Sequence, residues 1–108
     1  KTYRKCTMNI AVETGKVYTF KLNSGEELIA KVTATDSEWV DISDPVSVAP
    51  GPQGMGLVPS MFTADVTQKV RLNIRSISLF CITEDNVKMK YIEATTGIKV
   101  PEKKLILG

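Results

Sequence analysis

Four acids crowd the stretch DSEWVDISD, residues 36–44, around the only tryptophan of the chain, Trp39. Asp36, Glu38, Asp41 and Asp44 are hard oxygen donors, the type that holds calcium or magnesium. Read as a strand, the stretch puts Glu38, Val40 and Ile42 on one face and Trp39, Asp41 and Ser43 on the other. Alternation therefore divides the acids, and their spacing is not that of a calcium loop. An acidic turn is the better reading. Val46 and Val48 keep the parity of Val40 and Ile42, so the even face is expected to be the core face. That leaves Trp39 among polar neighbours. A second group lies further on, where Thr67, Lys69, Arg71, Asn73 and Arg75 alternate with Val66, Val70, Leu72 and Ile74. It reads as a strand with a basic stripe suited to a polyanion.

Catalytic constellations are poor. The chain has no histidine, so the usual general base and the usual Cys/His zinc sites are ruled out. No G-x-S-x-G elbow, P-loop or G-x-G-x-x-G is present, and GPQGMG at 51–56 lacks the lysine of a phosphate loop. The expectation is a protein that is not an enzyme and needs no metal or cofactor.

The elements that must position these residues fit one domain over residues 1–108. Cys6 and Cys81 are far apart with no CxxC partner, which argues against a disulfide framework and for a reducing, intracellular setting. No apolar run approaches the ~20 residues that cross a bilayer, and no signal-peptide pattern opens the chain. A cytoplasmic protein without membrane contact is expected. The net charge of +2 hides an uneven distribution. Residues 1–25 carry Lys1, Arg4, Lys5, Lys16 and Lys21 against Glu13, a balance of +4. Residues 26–65 carry Lys31 against seven acids, −6, and residues 66–108 carry eight bases against four acids, +4. A fold that joins the two ends has a basic surface and an acidic one; scattered solvated charge is the alternative.

The hydropathy pattern has mostly period two. VYTFKL (17–22), EELIAKVTAT (26–35), a third segment at about 38–48, VTQKVRLNI (66–74) and ISLFCI (77–82) read as five strands. NSG at 23–25 and Asp36-Ser37 are turn signals, and the Gly- and Pro-rich residues 49–60 are expected to form a loop. The nearly all-apolar 77–82 suggests a strand covered on both faces, by the core and by a partner subunit. From Glu84 the period changes to that of a helix, about 84–96, with Thr83 or Asp85 as its cap and Gly97 at its end.

Two stretches taken together resemble a known family. Residues 22–39, LNSGEELIAKVTATDSEW, resemble the first motif of the Sm and Sm-like (LSm, Hfq-related) proteins, with Leu22, Gly25, Val32, Asp36 and Trp39 at the motif's spacings. Residues 74–82, IRSISLFCI, look like the second motif through Ile74, Arg75, Leu79 and Ile82. The resemblance covers about residues 17–82. Ala30 stands at the first motif's second glycine, Val40 at its asparagine, with Asp41 beside it, and Ser76 at the second motif's glycine. The helical pattern follows the fifth strand, whereas the family's helix precedes the first. The chain is thus similar to a divergent member, of the kind encoded by phages.

The resemblance implies an all-β fold: a small, strongly bent, five-stranded antiparallel Sm-like (SH3-like) barrel over about 17–82, with a loop insertion at 49–60 and an added C-terminal helix. It implies a homo-oligomeric ring, joined edge to edge through the fourth and fifth strands, in the cytoplasm or the host cytoplasm. It further implies single-stranded RNA as partner, ahead of single-stranded DNA. Trp39 then stacks bases, while Arg75, Lys69 and Arg71 meet backbone charge, with Asp41 and Ser76 beside them. Asp41 opposes phosphate, which weakens any tight uridine pocket. Two alternatives stay open for the residues: Trp39 packs into a core or interface, and Arg75 serves a subunit salt bridge or solvent. A structural ring without nucleic acid is the alternative function, and a monomer would favour an unrelated SH3-like or oligonucleotide-binding barrel.

Overall fold

The computed structural model describes residues 11–52, 54–65 and 67–97. Six strands, β1 (Val17–Leu22), β2 (Glu27–Thr35), β3 (Trp39–Gly51), β4 (Gly54–Pro59), β5 (Val70–Asn73) and β6 (Ile77–Ile82), precede one helix, α1 (Asp85–Gly97). All pairings are antiparallel, in the order β4-β3-β2-β1-β6, with β5 also on β3. The long β3 carries two partners: residues 46–51 pair with β4 and residues 39–42 with β5. Among the described residues, no helix is long and apolar enough to cross a membrane.

Residues 49–60 are not the expected loop. They hold the end of β3 and the whole of β4, so the described residues form six strands rather than five. Gly54, at φ 109, makes the reversal that a side chain resists, and β4 has β3 as its one strand partner, where Pro59 is tolerated. The irregular connection is instead 60–65 and 67–69. The expected strand over 66–74 starts only at Val70, because Asp65 holds Thr67 and Gln68 in a turn. Its Oδ1 accepts from Thr67 N at 3.0 Å and from Thr67 Oγ1 at 2.6 Å. Val66 lies outside the described residues, as does Cys6.

Alternation buries two faces. Tyr18, Phe20, Leu28, Ala30, Val32, Val40, Ile42 and Ile74 form one cluster; Val17, Ile29, Val46 and Tyr91 form another, joined by Val48, Leu57 and Val87. Val46 and Val48 therefore do not share a face with Val40 and Ile42. The reason is a bulge: Ile29 pairs with Val46 but Lys31 with Ser43, so β3 spends one extra residue there. Asp44 supplies the kink at φ 51. The bulge falls after Asp41, so the expected parity of 39–42 stands.

Helix α1 covers the second cluster through Val87 and Tyr91. Its cap is neither Thr83 nor Asp85. Glu84 Oε1 accepts from Val87 N at 3.1 Å, while Thr83 is buried, with its hydroxyl 3.0 Å from that of Thr19. Strand β6 has the expected ends, and within one chain it is covered only in part. Leu79 is 67% exposed and Ile82 50%, and only Ile77 and Phe80 lean on the first cluster.

Candidate nucleic-acid interface

The site begins at a turn made by one carboxylate. Asp36 Oδ1 accepts from the backbone N of Glu38 and of Trp39, both at 2.8 Å, and Asp36 N donates to Trp39 O at 2.9 Å. These bonds reverse the chain between β2 and β3, as the turn signal suggests. They also hold the Asp36 carboxyl below its ordinary value, with a smaller contribution from Arg71.

Trp39 opens β3 half-buried, opposite Asn73 of β5. Two residues on, Asp41 stands opposite Arg71 in the ladder. Arg71 Nε donates to Asp41 Oδ1 at 2.8 Å and Nη2 to Asp36 Oδ2 at 3.0 Å. Lys69 Nζ lies 3.8 Å from Asp41 Oδ2. The guanidinium carbon of Arg71 sits 5.5 Å from the Trp39 ring centroid, a cation–π contact. The hydrogen bond from Arg71 to Asp41, with the charges of both acids, strengthens the hold of that guanidinium on its proton.

Trp39, Asp41, Lys69 and Arg71 are thus brought together, but the basic stripe is not free. Two of its cations are spent on two acids. The antiparallel register of β5 on β3 sets bases from the third segment of the chain against acids from the second, so here the two signs are interleaved rather than split into two surfaces.

Arg75 and Ser76 lie on the neighbouring 3₁₀ turn, Ile74–Ser76, between β5 and β6. Ile74 N donates to Glu38 O at 2.9 Å, which ties this turn to the Asp36 turn. Arg75 N donates to Asn73 Oδ1 at 2.9 Å and Ser76 Oγ to Asn73 O at 2.7 Å. The Arg75 side chain is exposed and makes no ion pair among the described residues. The hydroxyl of Ser76 is engaged within its own turn.

One residue of this region escapes the sequence reading. Asn23 N donates to Ser76 O at 2.7 Å, Asn23 Nδ2 donates to Arg75 O at 2.8 Å, and Ser78 Oγ donates to Asn23 Oδ1 at 2.5 Å. The signal NSG marks a turn, with Gly25 at φ 98, but says nothing of a side chain reaching 52 residues along the chain.

Among the described residues no three acid or cysteine side chains converge to hold a metal ion. The arrangement offers an indole with a guanidinium on it, a charge-balanced surround and one exposed cation on the next turn. That is chemistry for stacking and for a single phosphate contact. Compared with known protein families and with curated proteins, the sequence matches no family model and no curated protein.

Proposed function

We propose that the chain is a ring-forming Sm-like barrel that binds single-stranded nucleic acid, RNA ahead of DNA, as a non-catalytic chaperone or adaptor. The observation that carries this reading is the bond from Ile74 N to Glu38 O. It joins the two turns that resemble the Sm motifs, so that Trp39 and Arg75 sit on adjoining turns. In this reading the sheet closes into a barrel across the 3₁₀ turn between β5 and β6. Trp39 stacks a base, worth about 1–3 kcal/mol, and repetition around a ring multiplies it. Arg75 meets phosphate. Arg71 braces the indole instead, held by Asp36 and Asp41, and Lys69 pairs with Asp41.

A second reading is a ring that serves assembly alone. The neutralised stripe favours it, since Asp41 and Asp36 occupy Arg71, and Asp41 also Lys69, two cations that phosphate would need. Fluorescence anisotropy of a labelled uridine-rich RNA, titrated at low and high salt, separates the two. The first reading expects saturable binding that weakens with salt and falls about 5- to 150-fold in Trp39→Ala. No binding at micromolar protein in low salt leaves the assembly role.

A further inference from the structure

We infer that Asn23 is a positioning residue that sets the direction of Arg75; the inference rests on the nucleic-acid reading above. Arg75 occupies the middle of a three-residue 3₁₀ turn, a segment too short to hold its own orientation. Its N–H is fixed from within the turn, by Asn73 Oδ1. Its carbonyl is fixed from outside, by Asn23 Nδ2, and the next carbonyl, that of Ser76, by Asn23 N. One asparagine thus holds the Arg75 carbonyl, on one side of the Cα from which the Arg75 side chain leaves, and the carbonyl of the residue after it. The amide cannot rotate without loss, because Ser78 Oγ donates to its oxygen and so orients its nitrogen toward Arg75.

The arrangement has a mechanical consequence. Asn23 follows directly on β1, whose register on β6 shifts between Lys21 and Leu22. The β1–β2 turn therefore clamps the start of β6 and carries the Arg75 turn with it. An arginine aimed in advance loses less rotational freedom on meeting phosphate than one on a loose turn. Asn23 itself needs no contact with the nucleic acid.

The test is a double-mutant cycle on the full chain, with Asn23→Ala, Arg75→Ala and both together, read by RNA anisotropy over a range of salt. Acting through Arg75, Asn23→Ala weakens binding, lowers the salt slope toward that of Arg75→Ala, about 0.7 for one phosphate, and adds nothing to Arg75→Ala. Its melting temperature is compared with wild type at the same salt. If Asn23→Ala does not fold, Ser78→Ala replaces it, since removing that exposed hydroxyl only frees the amide to turn; the same change of slope is expected. An unchanged slope, or a loss that adds in full to that of Arg75→Ala, overturns the inference while leaving nucleic-acid binding intact. A wild-type chain that binds no RNA overturns the proposed function and this inference with it.

Discussion

At the Tyr91 hydroxyl, one proton serves two backbone carbonyls, those of Ser43 and Asp44, at 3.1 and 2.9 Å. Ser43 stands opposite Lys31 where the β2–β3 register shifts, and Asp44 lies in the β3 bulge, so this phenol fastens helix to sheet at the bulge. Tyr91→Phe keeps the ring and removes the hydroxyl that both carbonyls share, which is expected to cost about 0.5–1.5 kcal/mol in urea unfolding. Burial, with Asp44 nearby, pushes the phenol well above its ordinary 10.0. The neutral form is the one the fold favours, so its contribution is complete below pH 10 and is lost as pH rises through the higher folded value. Alkaline destabilisation is therefore expected in the wild type and should shrink in Tyr91→Phe; equal loss in both would remove Tyr91 from that role. Asp36 works in the opposite sense. Its carboxyl is held below the ordinary 3.8, so its contribution is complete above that value and is lost as pH falls through the lower folded one. Melting temperatures between pH 5 and pH 2 should fall more steeply for wild type than for Asp36→Asn. The Asp36 role was legible because its partners are two and three residues away. The Asp41–Arg71 pair was not, because 30 residues separate them and only the register of β5 on β3 makes them neighbours.

Among the elements, β3 decides the shape of the molecule, and Asp44 decides β3. A non-glycine residue at φ 51 is strained, and asparagine or aspartate tolerates that region better than a branched side chain. Asp44→Val should therefore destabilise by about 1–3 kcal/mol while Asp44→Gly stays near neutral. The Tyr91 bond goes to the Asp44 carbonyl, which both variants keep, so chemical denaturation reads backbone strain alone. Equal stability of the two variants would mean that the bulge is not under strain. The strand ends of β1, β2 and β6 and the extent of α1 were legible from alternation, turn residues and the change of period. The change of face inside β3 was not. Val40, Ile42, Val46 and Val48 share one parity on paper, and one extra residue in the ladder sends the last two to the opposite cluster. Residues 49–60 were misread for a related reason: glycine and proline mark loops, yet an edge hairpin accommodates both.

For the whole molecule the open question is the edge of the sheet. Among the described residues β6 pairs only with β1, carries no charge and no proline, and leaves Leu79, Phe80 and Ile82 exposed. Edge strands of monomeric proteins are normally blunted by charge, proline or a covering element, because bare N–H and C=O groups recruit another chain. On the far side of β3, among the described residues, β4 and β5 together form the other edge, with Met55 and Val58 of β4 exposed. Two unlike edges on one chain make a head-to-tail contact that closes into a ring when the rotation per subunit allows it. Leu79→Asp tests the proposed ring without touching the core, since Leu79 is already 67% exposed. The substitution removes about 1.5–3 kcal/mol of apolar burial at every interface and places a carboxylate in each. Light scattering after gel filtration should give a multiple of the monomer mass for wild type and the monomer mass for Leu79→Asp. A wild type that is monomeric at every concentration would overturn the ring, and the apolar strand would then need another cover. If the ring does form, its loss in Leu79→Asp should weaken RNA binding more than the same substitution at a solvent position, because one strand of RNA no longer meets several Trp39 side chains at once.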